Sequence, residues 1–150
     1  MSELQDLYRE VILDHNRQPR NFGELEPADR IIEGVNPLCG DRVTLYVKLD
    51  GDRVEDIRFK GTGCAISVAS SSLMTERIKG STISESLELF DKVHGMLTKG
   101  SDAPEDLDEL GKLAALSGVR EFPSRVKCAS LSWHAMRTAL TGPDDSVSTE

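Results

Sequence analysis

The sequence predicts an α+β fold: a small antiparallel sheet of about three strands, packed with helices. Two stretches of alternating apolar residues are joined by Asp50-Gly51, a strong signal for a tight hairpin turn. Segments with helical spacing lie before and after these strands, so strands and helices occupy separate parts of the chain. No linker or internal repeat divides the sequence, and residues 1–142 are therefore expected to form one domain.

The first half of the chain is expected to supply one helix and the three strands. An S-x-x-Q capping box begins at Ser2 and precedes apolar residues at helical spacing, which predicts a helix over residues 3–16. The apolar run Ile31–Val35 predicts a short first strand. Strict alternation predicts a second strand over residues 43–49, and a third follows over residues 54–60.

Four helices and a tail are expected after the sheet. A segment rich in small residues predicts a helix over residues 65–79, and a T-x-x-E capping box opens the next over residues 82–97. A proline at a first helical position predicts an extra helix over residues 104–117, ended by the glycine that follows it. The last helix is expected over residues 123–140, and residues 143–150 are expected to form a disordered tail.

Composition and charge exclude several classes of protein. The chain has 150 residues, of which 38% are hydrophobic, and a formal net charge of −8. This charge argues against a nucleic-acid binder or a protein that binds anionic membranes. The polar N-terminus shows no secretory signal, and three cysteines make a poor disulfide framework. We therefore expect reduced thiols and a cytoplasmic location.

Three cysteines and one aspartate indicate where chemistry could occur. Cys39 precedes the second strand, Cys64 lies where a strand becomes a helix, and Cys128 lies near the start of the last helix. We expect these strand ends and helix starts to bring the thiols to one edge of the sheet. Helix N-termini favour thiolates, so lowered pKa values are expected for Cys64 and Cys128. With Asp41, the three thiolates make a four-ligand set that suits tetrahedral zinc.

Spacing alone leaves a structural explanation open. No CxxC pair is present, so Asp41 could equally be a turn residue and the cysteines could be packing residues. The histidines His15, His94 and His134 fall within predicted helices and are not expected as ligands. Residues Ser70–Ser72 are expected to pack, because no histidine or carboxylate is expected beside them.

Three separated motifs surround these positions: Asn36–Asp41, Gly61–Ser72 and Arg125–Cys128. Together with the helical segment Leu7–His15, they resemble the IscU/SufU (NifU N-terminal-like) family of iron–sulfur cluster assembly proteins. The resemblance covers residues 1 to about 141. It implies the family's α+β fold, with the extra helix inserted between the second and third cysteines.

Two departures from IscU-type scaffolds resemble the SufU branch of the family. Lys127 stands where those scaffolds carry a histidine directly before the third cysteine. In addition, 63 residues separate Cys64 from Cys128, which leaves room for the extra helix. The resemblance therefore implies a zinc site in which the carboxylate replaces the missing histidine, with the ligands Cys39, Asp41, Cys64 and Cys128.

SufU-like proteins are zinc-dependent sulfurtransferases that receive persulfide sulfur from SufS, a cysteine desulfurase containing PLP. The resemblance implies that Cys39 accepts the sulfur and that Arg125 is the family's arginine near the metal. It also implies downstream partners among the SUF cluster-assembly proteins, and nothing in the sequence resembles a PLP site. One alternative is a scaffold and carrier for a [2Fe-2S] cluster, which would use the same thiolates. A structural zinc module without chemistry is the other.

Overall fold

A four-stranded mixed sheet is the layer at one end of which the candidate site lies. The computed structural model describes residues 3–98, 110–142 and 146–149. The strands run in the order β3-β2-β1-β4 across the sheet. Their bounds are β1 Arg30–Asn36, β2 Asp41–Asp50, β3 Arg53–Thr62 and β4 Ser146–Ser148. The α+β class and the three antiparallel strands are confirmed, and the sheet is larger than expected because β4 pairs in parallel with β1.

The β2–β3 hairpin forms as the alternation of its residues predicts. Gly51 in the connecting turn has a φ of +62°, a left-handed conformation that glycine adopts without steric cost. Opposite strand positions pair apolar side chains on the buried face, Leu45 with Phe59 and Val47 with Ile57. The register shifts after Lys48, which marks a bulge near the turn. The hairpin therefore has its turn at one end and Asp41 at the other.

Four α-helices and one 3-10 helix accompany the sheet within the described residues. The α-helices are α1 Glu3–Arg17, α2 Ala65–Ile78, α3 Ile83–Thr98 and α4 Pro123–Thr141. Helix α4 lies against β1 and β2, while α2 packs against α1, α4 and β3. Small side chains on α2, including the fully buried Ala69 and Ser70, permit this close packing. None of the described helices is long and apolar enough to cross a membrane.

The inserted segment contains the expected extra helix, and the part of it that the structure describes is mostly a 3-10 helix. Residues Gly111–Glu121 form a 3-10 helix, and the expected glycine stop at Gly118 lies inside it. Gly111 has a φ of +58°, which an α-helix cannot continue through. From the N-cap Leu110 onward, the larger apolar side chains that are buried lie three apart, which matches the three residues per turn of a 3-10 helix: Leu110, Leu113, Leu116 and Val119. The first part of the expected helix, residues 104–109, lies outside the described residues.

The expected disordered tail needs a correction. Within residues 143–150, Ser146–Ser148 form strand β4, which pairs with Glu33–Val35 of β1. The backbone N–H of Thr149 also donates to the carbonyl of Val35 at 3.0 Å. Residues 143–145 and 150 lie outside the described residues. Backbone pairing with an open sheet edge orders a segment that has too few apolar residues to predict a strand.

Candidate metal centre

The turn between β1 and β2 carries the first two candidate ligands. The carbonyl oxygen of Asn36 accepts hydrogen bonds from the N–H of Cys39 at 3.3 Å and of Gly40 at 2.9 Å. Gly40 has a φ of +73°, so the tight turn depends on a residue without a Cβ. This geometry leaves the thiol of Cys39 exposed, whereas Asp41 two residues later is fully buried. The turn therefore presents one ligand to solvent and one to the interior.

Cys64 lies at the junction of β3 and α2, next to the carboxylate of Asp41. Its backbone N–H donates to Asp41 Oδ1 at 2.9 Å, and its Sγ lies 3.9 Å from Asp41 Oδ2. A Cβ built on the preceding Gly63 would overlap the same carboxylate. Glycine at this position therefore permits the close approach of the β3–α2 junction to Asp41.

Cys128 supplies the third thiol from the second turn of α4. Its side chain is almost completely buried, and its Sγ lies 3.5 Å from the side-chain Nδ2 of Asn36. One ligand atom from each of Cys39, Asp41 and Cys128 lies within 4.8 Å of the others. The structure thus brings Cys39, Asp41 and Cys128 together at one end of the sheet, and Cys64 contacts the carboxylate of this group.

The charge balance of the site favours an added cation. Burial raises the pKa of the Cys128 thiol, and hydrogen bonds with Asp41, Cys39 and Cys64 raise it further. The lowered pKa expected at Cys128 is therefore not found for the metal-free chain, because burial acts against the thiolate and this thiol lies beyond the first turn of α4, where the helix dipole acts most strongly. A divalent cation would supply the missing positive charge, since metal-bound thiols are deprotonated.

Arg125 lies near the thiols on the solvent side of the site. Its side chain is exposed, and the nearby Cys64 and Cys128 raise the pKa of its guanidinium. It is therefore placed to attract an anion that approaches the site from solvent.

The donor set fits zinc. Three sulfurs and one carboxylate oxygen match the number and type of ligands in tetrahedral zinc sites. The three cysteines come from the β1–β2 turn, the β3–α2 junction and helix α4, so the fold and not a local motif assembles the site. Lys127, where a scaffold's histidine would stand, is half-buried on α4. The same donor set also contains the thiolates that iron–sulfur clusters require.

The histidines and serines that were not expected as ligands lie outside this set, and one of these serines has a contact that was not expected. The ring of His94 stacks on Phe90, and His134 packs edge-on against both rings, with centroids 5.4 and 5.5 Å away. Against expectation, Ser72 has a histidine partner: His15 Nδ1 lies 2.7 Å from its Oγ. Both side chains are buried, so this pair holds α1 on α2 and has no access to a substrate.

Such a site, three thiols and a carboxylate on a small α+β fold, is typical of proteins that handle sulfur and metal in cluster assembly. The family described as NifU-like N terminal domain matches residues 7–129. The chain belongs to this family, and within it to the IscU/SufU type of iron–sulfur cluster assembly protein, as the motifs predicted.

Relatives within the family carry two kinds of name. The chain is 47% identical over 139 residues to the zinc-dependent sulfurtransferase SufU of Bacillus subtilis, covering 93% of this chain and 92% of that protein. It is 41% identical over 140 residues to the iron-sulfur cluster assembly scaffold protein IscU of Streptococcus pyogenes, covering 93% and 86%.

A solved structure shows the same fold. It is a putative iron-sulfur cluster assembly scaffold protein for the SUF system from Fervidobacterium islandicum, with a TM-score of 0.81 and 38% identity. The match covers 88% of this chain and 95% of that one. The fold and the broad role in cluster assembly are therefore shown, whereas these names divide between sulfur transfer and scaffolding.

Proposed function

We propose that this protein is a zinc-dependent sulfurtransferase of the cytoplasm that accepts persulfide sulfur from a PLP-containing cysteine desulfurase of the SufS type. The proposed zinc ligands are Cys39, Asp41, Cys64 and Cys128. The observation that carries the proposal is the difference in exposure within this set: Cys39 is exposed on a turn, whereas Cys128 and Asp41 are buried. The downstream acceptors would be other SUF cluster-assembly proteins.

The transfer step is a thiol exchange at Cys39. When bound, zinc keeps the thiols deprotonated near neutral pH. The Cys39 thiolate attacks the terminal sulfur of the donor's persulfide, a new S–S bond forms at Cys39, and the donor's own S–S bond breaks. The bonding electron pair leaves with the donor cysteine as a thiolate, so no external oxidant or reductant is consumed. Cys39 then carries the persulfide to the next acceptor.

Arg125 is the second residue proposed to act in transfer. Its guanidinium is exposed beside Cys64 and Cys128, where it offers positive charge to an incoming persulfide anion. Since a guanidinium stays protonated at physiological pH, this charge is present throughout the reaction.

A Cys39→Ala variant tests the proposal. Wild type is expected to hold about one zinc per chain and to raise cysteine desulfurase turnover, because Cys39 removes the product persulfide. The variant is expected to leave turnover at the level of the desulfurase alone. Turnover is measured as sulfide and alanine released, with zinc content determined on the same samples.

Ser84→Ala provides the control for this experiment. Ser84 is exposed at the start of α3, beside the hairpin-turn end of the sheet. Asp41 is at the opposite end of the ten-residue strand β2, about 30 Å away. The control should raise turnover as wild type does. Stimulation that survives in Cys39→Ala would show that Cys39 is not the acceptor.

The scaffold function of several relatives is the second candidate. The same three thiols could hold a [2Fe-2S] cluster, as the names of the IscU relatives suggest. Anaerobic purification separates the two functions: zinc without visible absorption favours sulfur transfer. A brown protein that holds iron and sulfide, and leaves desulfurase turnover unchanged, favours the scaffold.

A further inference from the structure

Asn36 lies at the centre of the candidate site without being a candidate ligand. It is the last residue of β1, and its side chain is fully buried. Its side-chain Nδ2 lies 3.3 Å from Asp41 Oδ2 and 3.5 Å from Cys128 Sγ. One amide therefore connects ligands from β2 and α4, which are 87 positions apart by their residue numbers (128 − 41).

The main chain of Asn36 contacts the remaining part of the turn. Its carbonyl oxygen accepts the N–H groups of Cys39 and Gly40 and so fixes the loop that presents the exposed thiol. Asn36 thus holds the Cys39 loop by its backbone and two buried ligands by its side chain. The carbonyl contact survives substitution, whereas the side-chain contact does not, which makes the role of the amide testable.

The chemistry of the neighbours determines the orientation of the amide. A carboxylate and a thiolate accept hydrogen bonds, so the NH₂ group must face them. The amide oxygen Oδ1 has no hydrogen-bond partner among the described residues, although it is buried. An unsatisfied buried acceptor destabilises a fold. An amide at this position is therefore explained by what its NH₂ group does for the ligands.

We propose that Asn36 is the positioning residue of the metal centre, which keeps Asp41 and Cys128 in place when Cys39 moves away to accept sulfur. This inference rests on the proposed zinc site. Asp41 is then held at both oxygens, by the N–H of Cys64 at Oδ1 and by Asn36 at Oδ2. A hydrogen bond to the Cys128 sulfur also draws negative charge from it, which makes that thiolate a weaker nucleophile than the exposed one.

Two variants test whether the NH₂ group of Asn36 or only the size of its side chain matters for zinc binding. Asn36→Leu keeps the branched, four-atom shape of the side chain without the NH₂ group, and Asn36→Ala removes that group without requiring space for two methyl groups. Loss of a hydrogen bond to a metal ligand typically weakens affinity by about 10- to 100-fold. Both variants are therefore expected to bind zinc at least about tenfold more weakly than wild type, measured by competition with a chromophoric chelator.

A spectroscopic readout distinguishes positioning from general destabilisation. Protein loaded with Co²⁺ in place of zinc shows thiolate-to-metal absorption that reports the geometry of the sulfurs. This absorption should change in both Asn36 variants. Thr75→Val is the matched control, because it removes a buried hydroxyl from α2. Thr75 lies 11 residues along the helix from Cys64, about 16 Å away. Its spectrum and zinc affinity should equal those of wild type.

The outcomes separate this inference from the function on which it rests. If wild type binds zinc and raises desulfurase turnover, and both Asn36 variants keep its affinity and Co²⁺ spectrum, the inference is overturned and the proposed function stands. If wild type binds no zinc, both are overturned. Weaker zinc binding with an altered Co²⁺ spectrum, while Thr75→Val remains like wild type, supports the role of Asn36.

Discussion

At the scale of single residues, the four candidate ligands are held unequally. Asp41 is buried and hydrogen-bonded at both oxygens, and Cys128 is buried in a helix. Cys39 is exposed on a turn that contains glycine at a left-handed φ. Because a ligand that leaves a metal must be free to move, this inequality supports the proposal that Cys39 is the reactive thiol.

Gly63 is the residue that lets Cys64 approach the carboxylate of Asp41. In Gly63→Ala, the added methyl group would overlap Asp41, so the β3–α2 junction must shift. Overpacking of this kind typically costs about 1–3 kcal/mol of unfolding free energy. We expect a loss in that range in urea unfolding and weaker zinc binding by chelator competition.

Gly95→Ala is the matched control, and its expected effect on the unfolding free energy has the opposite sign. Gly95 lies within α3, and a methyl group there would meet no atom within 4 Å. Alanine favours a helix over glycine by about 0.5–1 kcal/mol. We therefore expect a more stable protein with unchanged zinc affinity. Equal effects of the two substitutions would contradict the close approach described at Gly63.

At the scale of elements, residue spacing predicts most helices and strands but not the kind of helix in the insertion. The expected extra helix rested on leucines three residues apart, and this spacing is the period of the 3-10 helix that forms. An α-helical surface needs spacings that alternate between three and four residues. The spacing therefore predicts the extra helix, and the structure adds that its described part is of the 3-10 kind.

Helix α3 begins with the capping box that its sequence predicts. The N–H of Glu85 donates to Thr82 Oγ1 at 3.0 Å, and the N–H of Thr82 donates to Glu85 Oε1 at 3.0 Å. These bonds also lower the pKa of the Glu85 carboxyl. Thr82→Ala is expected to cost about 1 kcal/mol of unfolding free energy, the usual effect of losing an N-cap.

Urea unfolding measures this loss, with Ser84→Ala as the comparison. Ser84 is exposed in the same helical turn, and alanine there should change stability little. A similar stability for both variants would show that the capping box contributes nothing measurable.

At the scale of the whole molecule, we expect the buried His15 and the half-buried His134 to make stability depend on pH. Burial lowers the pKa of His15 below its ordinary value, and burial, His94 and Arg137 do the same for His134. Above about pH 6.5, these side chains are neutral in both folded and unfolded states. As the pH falls below that value, the unfolded chain takes up protons that the folded chain does not, so stability decreases.

Urea unfolding of the metal-free protein at about pH 7.5 and about pH 5.5 tests this expectation. The unfolding free energy of wild type should be lower at the acid pH, and His15→Leu should lose less than wild type between the two. The metal-free form excludes protonation of bound ligands as a cause. A wild-type stability that stays constant or rises on acidification would contradict the linkage.

Local sequence patterns predict most of the fold, whereas the contacts within the candidate site could not be predicted from them. Alternation, capping boxes and glycine turns gave the helices and three strands, because they act over a few residues. Contacts such as Asn36 with Cys128, 92 residues apart, and His15 with Ser72, 57 apart, depend on packing between elements. Local patterns contain no signal for such pairs, so the role of the amide emerged only from the structure.

The short strand β4 has a consequence for association between chains. Without it, the outer edge of β1 would present open backbone donors and acceptors, which readily pair with a strand of another molecule. Thr149 holds β4 in place with two hydrogen bonds. Its backbone N–H donates to the carbonyl of Val35, and its Oγ1 donates to the carbonyl of Lys127, next to the third cysteine. Removal of residues 143–150 would therefore turn a protected edge into a surface for aggregation.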